Sequence, residues 1–312
     1  MTDDGLHAAP YPVRAAAAVI RRLPIGRHRA AQWVAARVGS PFWAELPPQL
    51  GSLRFRCDLA DGLMRDAYLT GRYEPQETAL VRHLLRPGMT FADVGANWGY
   101  FTLLAAHLVG PSGRVIAVEA DPRAVQTIRA NVASNALHHV RLFGVAATDE
   151  ARELSFDPYE PALGSASGNY GLEQAGDAAA RPGRVRVAGR PLDELFAESG
   201  VDRIDLMKMD IEGAEAAALR GAARFLAAGR IDRIVLELHP EALQRLGSSV
   251  GAVCGLLRDA GFDGWRIDHS LEAHRRAASA RVDVDALLLP LDGVDDLGRW
   301  PHVFWRRKGL AS

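Results

Sequence analysis

The sequence predicts an α/β protein with a mostly parallel sheet covered by helices on both faces. Three observations carry this expectation. From residue 90 onward, short apolar runs alternate with longer segments of helical periodicity. The run "RVIAVEA" at 114–120 holds four consecutive apolar residues, 115–118, as a strand buried on both faces reads. A glycine turn, "DVGANWGYF" at 93–101, joins one run to a helix, which is where open α/β sheets place ligands.

The elements follow in order. "RAAAAVIRRL" (14–23) and "HRAAQWVAARV" (28–38) read as short amphipathic helices broken near Pro24 and Gly26. Residues 5–44 hold several arginines and no acid. Residues 1–50 are therefore expected to be a small helical appendage on a main domain of 51–312. A weak membrane-surface contact through the arginines and Trp33 is the alternative reading. "LRFRCDL" (53–59) alternates as a strand does, and 64–85 reads as helix, turn, helix. Glu74-Pro75 opens the second of these helices, with Glu77 in its first turn.

Strand "TFADVG" (90–95), helix "YFTLLAAHLV" (100–109), strand "RVIAVEA", helix "PRAVQTIRANVAS" (122–134) and strand "HVRLFGVAA" (139–147) come next. Two short strands, "ELSFD" and "RVRVAG", flank a stretch from Asp157 to Arg184 rich in Gly, Ala, Ser and Pro. That stretch exceeds the ~12–15 residues of ordinary connections, so it reads as disordered or as a functional lid. The alternation resumes with "IDLMKMD" (204–210), the helical "AEAAALRGAARFLAA", "IDRIVLELH" (231–239), helix "VGAVCGLLRDA", "GWRID" and "HVFWRR" (302–307).

Composition narrows the class. The chain has 312 residues, 48% hydrophobic, with net charge -1. This gives no electrostatic case for a nucleic-acid partner. Cys57 and Cys254 form no metal or redox pair, which fits a reducing, cytoplasmic setting. No apolar run approaches the ~20 residues of a membrane span. Of 37 basic residues only Lys208 and Lys308 are lysines. Lysine inside an apolar strand therefore stands out, since Lys and Arg are not equivalent in a tight site.

In the glycine turn, Gly95 and Gly99 permit a tight bend, and the following helix start points N–H groups at a ligand. Glu119, at the end of the next strand, is placed to bind ribose hydroxyls. A dinucleotide site wants G-x-G-x-x-G, whereas here the pattern is D-x-G-x-x-x-G, and Asp93 would repel a pyrophosphate. S-adenosylmethionine has a ribose, an amine and a sulfonium but no phosphate, so the residues favour it. The loop, the strand ends around it and Glu74 make the expected cofactor set: Glu74, Asp93, Gly95, Ala96, Asn97, Gly99, Tyr100, Glu119, Ala120 and Asp210.

"DVGANWGYFTLLAA", "VIAVEAD", "PLDEL" and "LMKMDIEGAEAAALRGA", with "GRYEPQE" upstream and "IVLELHP" downstream, resemble the FkbM family of S-adenosylmethionine-dependent methyltransferases. The resemblance runs over roughly residues 55–270. Trp98 is bulkier than the aliphatic residue expected in the loop. The resemblance implies a Rossmann-like class I methyltransferase fold, a seven-stranded sheet with an antiparallel last strand. It also implies methyl transfer to oxygen, on a hydroxyl of a sugar, glycolipid or polyketide.

The expected catalytic group is His239 with Asp210, Lys208 and Glu237. "KMDIEGAE" puts Lys208, Asp210 and Glu212 on one parity, with Lys208 the natural partner of Asp210. In "LELHP", Glu237 and His239 share parity, and His239 suits a general base near neutral pH. Glu215 reads as a residue stabilising the helix dipole. The cluster can also hold a divalent ion, but its ligands are few and acid–base chemistry is favoured. His138, His139 and His302 show no constellation and read as surface. The rival functions are a nicotinamide-dependent oxidoreductase and a non-catalytic S-adenosylmethionine-binding protein.

Overall fold

A computed structural model describes residues 5–39, 41–156, 173–174, 184–277, 282–291, 293, 297–298 and 300–310. Its centre is an eight-stranded sheet. Strands β3 (Thr90–Val94), β4 (Arg114–Glu119) and β5 (Val140–Gly144) run outward in one direction. On the other side of β3 lie β10 (Leu206–Met209) and β11 (Arg233–Glu237), then β14 (His302–Arg307), β12 (Phe262–Ile267) and β13 (Leu288–Pro290). The first five strands are mutually parallel. β14 inserts antiparallel between β11 and β12. This is the Rossmann-like methyltransferase arrangement, with β13 as an eighth strand added at the edge. The strand order reverses between β3 and β10, so a crevice opens at their carboxyl ends.

Burial explains the strands. Val94, Ile116, Val118, Met207 and Leu236 pack one face against helices such as α11 (Val250–Asp259). Phe91, Val115, Leu206 and Val235 pack the other against α5 (Tyr100–Val109). The helix starts are chemically marked. The Asp61 side chain accepts from Leu63 and Met64 N–H at the start of α3 (Gly62–Thr70). Asp121 caps α6 (Pro122–Ser134), which has proline first.

Two segments divide where the sequence reads as continuous. "HVRLFGVAA" splits after β5. β6 (Ala146–Thr148) leaves the main sheet to pair with β9 (Val185–Pro191) in a second sheet with β7 (Arg152–Phe156) and β8 (Glu173–Gln174). The long helix after β10 breaks into α8 (Glu215–Arg220) and α9 (Ala223–Ala227). At the break, a Cβ on Gly221 would sit 1.9 Å from the Thr148 carbonyl oxygen. Of the stretch from Asp157 to Arg184, all but β8 and Arg184 lies outside the described residues.

The amino-terminal helices α1 (Tyr11–Ile20) and α2 (Arg27–Ala35) rest on α3. Val13, Ala17 and Ile20 join the same apolar cluster as α5. The hairpin of β1 (Phe42–Glu45) and β2 (Arg54–Cys57) straddles residue 50. No described helix is long and apolar enough to cross a membrane.

Candidate active site

A cavity of about 510 Å³ opens at the carboxyl ends of β3, β4 and β10, within the size range of small-molecule sites. Gly95, Asn97, Glu119, Ala120 and Asp210 of the expected cofactor set line it. Glu119 is locked from both sides: its Oε2 accepts from Asn97 N–H at 2.7 Å and its Oε1 from Asp121 N–H at 2.8 Å. Each oxygen keeps a further lone pair for a hydroxyl. Burial, against those hydrogen bonds, pushes the Glu119 carboxyl up to about 7.

The glycine loop uses its own N–H groups inside the protein. Its N–H groups at Gly95 and Ala96 donate to Val118 O, Asn97 donates to Glu119, and Gly99 donates to Ala96 O. These donors are spent inside the protein and do not form an anion cradle. Gly95, at φ 83°, is required by the neighbouring strand: a Cβ there would lie 1.9 Å from the Asp210 carbonyl oxygen. Gly99 begins α5 at φ 91°, against Ile128.

Asp93, Ala96, Gly99, Tyr100 and Glu74 are not on the cavity wall. Asp93 is buried and accepts a 2.5 Å hydrogen bond from Thr102 Oγ1, which ties β3 to α5; burial pushes its carboxyl up to about 6. The Tyr100 hydroxyl meets Thr78 Oγ1 at 3.2 Å. Trp98 packs at 5.0 Å on Phe55, so the bulky loop residue fastens the amino-terminal hairpin to the site. Arg56, Asp61, Leu63, Met64, Arg123 and Phe156 also line the cavity. The sequence carries no local signal for them, because they arrive from other elements.

Behind Asp210 and Glu212 the charges crowd, in a cluster whose Lys208, Glu237 and His239 are not on the cavity wall. Lys208 is 4% exposed, with Nζ 3.4 Å from both Glu74 Oε2 and Asp210 Oδ2, and 4.7 Å from the Phe101 ring centre. Burial opposes its charge, but Glu74, Asp210 and Glu237 outweigh it and hold the ammonium above the ordinary lysine range. Glu74 itself is held up by burial, with Lys208 pulling the other way.

His239 caps α10 (Pro240–Arg245) beside β11. Its Nε2 lies 3.2 Å from Glu212 Oε2 and 3.6 Å from Glu237 Oε1, and its Nδ1 lies 3.5 Å from Glu215 Oε1. Nδ1 has no partner with hydrogen-bond geometry among the described residues. Glu215 is fully buried and accepts from Gly213 N–H, so it does more than stabilise a helix dipole. Glu212 stands beyond the end of β10, at φ 54°, which turns it back toward His239. Strand parity therefore does not place Glu212. Burial works against protonated His239, but Glu215, Asp210, Glu212 and Glu237 raise it to about 9. These acids favour the imidazolium over the neutral base that the residue type suggests. Burial and Asp210 push Glu237 above the usual carboxylate range.

His302 is not a surface residue. Its Nδ1 lies 2.9 Å from Glu77 Oε1 and its Nε2 lies 3.6 Å from Glu237 Oε1. Glu77, fully buried in α4 (Pro75–Leu84), also meets His269 at 2.8 Å. Burial would raise Glu77, but His302 and His269 hold it well below the usual range. One ligand atom each from Asp210, Glu212 and His239 lie within 4.8 Å of one another, so these three could hold a divalent ion.

Residues 93–263 match the family described as the methyltransferase FkbM domain. The match takes in more than half of the chain, and the chain belongs to this family. It is 31% identical over 210 residues to the 31-O-demethyl-FK506 methyltransferase FkbM of Streptomyces tacrolimicus, covering 57% of this chain and 74% of that one. It is 28% identical over 160 residues to the 2-O-methyltransferase NoeI of Sinorhizobium fredii, covering 47% and 63%. It is also 30% identical over 210 residues to the AMB antimetabolite synthetase AmbE of Pseudomonas aeruginosa. That match covers 58% of this chain but spans only 10% of the synthetase.

Proposed function

We propose that this chain is an S-adenosylmethionine-dependent O-methyltransferase acting on a hydroxyl of a sugar, glycolipid or polyketide-type small molecule. One observation carries the cofactor choice. The glycine loop spends its N–H groups on Val118, Glu119 and Ala96, while the locked Glu119 faces the cavity. Such a wall fits a ribose without a phosphate, and a pyrophosphate would find no free donors at Gly95, Ala96, Asn97 or Gly99. This counts against the nicotinamide reading. Two relatives whose names specify O-methyl chemistry support oxygen as the acceptor atom.

S-adenosylmethionine, when bound, supplies a methyl group already activated on a sulfonium. The protein's part is then positioning and proton handling. Glu119 holds the ribose hydroxyls, and the acids Asp210 and Glu212 face the cationic portion. Lys208 fixes Glu74 and Asp210 against mutual repulsion. The acceptor proton passes to the Glu237–His239 pair. Both groups hold their protons above the ordinary range, so the pair takes the acceptor's proton only after giving one of its own to solvent. Against a non-catalytic binding protein stands the cost of keeping Lys208, His239 and their acids buried together with no reaction to serve.

The test is S-adenosylhomocysteine release from S-adenosylmethionine over a panel of hydroxylated glycans, glycolipids and polyketides, with NAD binding measured alongside. Methyl transfer to an acceptor oxygen is the expected result. Tight NAD binding, or S-adenosylmethionine binding without turnover on any acceptor, overturns the reading.

A further inference from the structure

We propose that the outer face of α1 and α2 is a docking surface for an anionic lipid bilayer. Seven large hydrophobic side chains are exposed among the described residues, and four of them fall between residues 11 and 33. These are Ile25 at 84% exposure, Tyr11 at 75%, and Val19 and Trp33 at 61% each. All but Ile25 sit on helices whose inner faces pack on the core. In α1, Val13, Ala17 and Ile20 point into the core; in α2, Ala31 does. With successive residues turned by about 100°, Tyr11, Ala15, Ala18 and Arg22 fall opposite the α1 core stripe. Arg29 and Trp33 fall opposite Ala31, and Arg37 follows just past the end of α2. Ile25 tops the turn between the two helices.

The charge on this face is one-sided. Residues 5–44 contain six arginines and no acid. Among the described residues, none of the six forms a salt bridge with a carboxylate. Arg22 and Arg37 donate to backbone carbonyls of their own helices. Arg37 also lies 4.0 Å over the Trp33 ring centre, and Arg14 lies 6.0 Å over that of Tyr11. Arginine beside an exposed aromatic ring, on a short helix whose other side is buried, matches what an interfacial helix presents to headgroups. A second copy of this chain fits the face poorly. A two-fold contact would set this patch against itself, arginine against arginine, with no acid between.

The face is separate from the cavity, whose wall includes no residue of 5–39. It is nevertheless mechanically close. Both helices rest on α3, and α3 contributes Leu63 and Met64 to the cavity wall. Docking here holds the site beside acceptors carried at a bilayer surface.

The test is sedimentation of the full chain with vesicles of phosphatidylcholine alone and of phosphatidylcholine mixed with phosphatidylglycerol, at low and high salt. Binding to the anionic vesicles only, weakened by salt, is expected. The double variant Arg29→Glu, Arg37→Glu should lose at least roughly tenfold in binding. Ile25→Ser with Trp33→Ala should weaken binding but leave its salt dependence in place. Thermal melts should stay at the wild-type midpoint in both variants, because the positions are exposed. Equal binding to neutral vesicles, or no binding to either kind, overturns the proposal. So does a concentration-dependent dimer abolished by the same variants, or tight salt-sensitive capture of DNA in place of vesicles.

Discussion

The two ends of the candidate site, the cavity wall at Glu119 and the buried cluster behind Asp210 and Glu212, handle polar groups in opposite ways. Around Glu119 each carboxylate oxygen receives a backbone N–H, and the glycine loop satisfies its own donors. Around His239 and Lys208, charge is balanced by charge at 3.2–3.6 Å, with few well-formed hydrogen bonds. A hydrogen-bonded wall is rigid before a ligand arrives, which suits a cofactor pocket. A cluster of ion pairs stays responsive to added charge and protons, which suits a reacting centre. Substitutions at the two ends should therefore fail in different ways.

The largest effect is expected at the crowded end. Lys208→Met leaves Glu74 and Asp210 without their buried cation and should cost about 3–5 kcal/mol of stability, read from urea unfolding. A loss below that of an exposed salt bridge would mean that the acids simply take up protons. Gly95→Ala comes next, because a Cβ meets the Asp210 carbonyl at 1.9 Å and φ is 83°. It should cost about 3 kcal/mol and weaken cofactor binding along with stability. At the cofactor end, Glu119→Ala should lower S-adenosylhomocysteine affinity by about 1.5–3 kcal/mol; unchanged affinity would remove Glu119 from the site.

The pH response belongs to the other end. His239 is raised from 6.5 to about 9. Its contribution to stability is therefore complete below the unfolded value and lost as pH rises through about 9. Melting midpoints followed from pH 6 to 10 should fall across that window, and His239→Gln should flatten the fall. The smallest effect is expected from chelation. Acid–base chemistry in the Asp210, Glu212 and His239 group predicts that turnover survives EDTA. Loss on chelation and recovery with a divalent ion would make the group a metal centre instead.

The contrast also decides what could be read from the sequence. Strands β3, β4, β10, β11 and β14 were legible because apolar runs buried on both faces leave a continuous pattern. The D-x-G-x-x-x-G turn and Glu119 were legible because a glycine turn and an acid at successive strand ends mark the ligand edge of an open sheet, although their contacts reach Val118, Glu119 and Asp210 across the sequence. The crowded end was legible only in part. Lys208 and Asp210 lie two residues apart, but Glu77 and His302 meet from distant elements, and no local pattern reports that meeting. Glu212 reaches His239 through a positive φ that strand parity does not anticipate. β1 and β13 are too short, at four and three residues, to establish a period. The break at Gly221 depends on the Thr148 carbonyl, which belongs to another sheet.

The central claim is that one end binds the cofactor and the other handles the proton. It is tested most directly by measuring S-adenosylhomocysteine affinity and methyl-transfer rate together in Glu119→Ala and His239→Ala. The account predicts a crossed result: Glu119→Ala loses affinity, whereas His239→Ala keeps affinity and loses about 10²–10⁴-fold in kcat. His239→Ala with near-normal turnover, or with affinity falling as far as in Glu119→Ala, would contradict it.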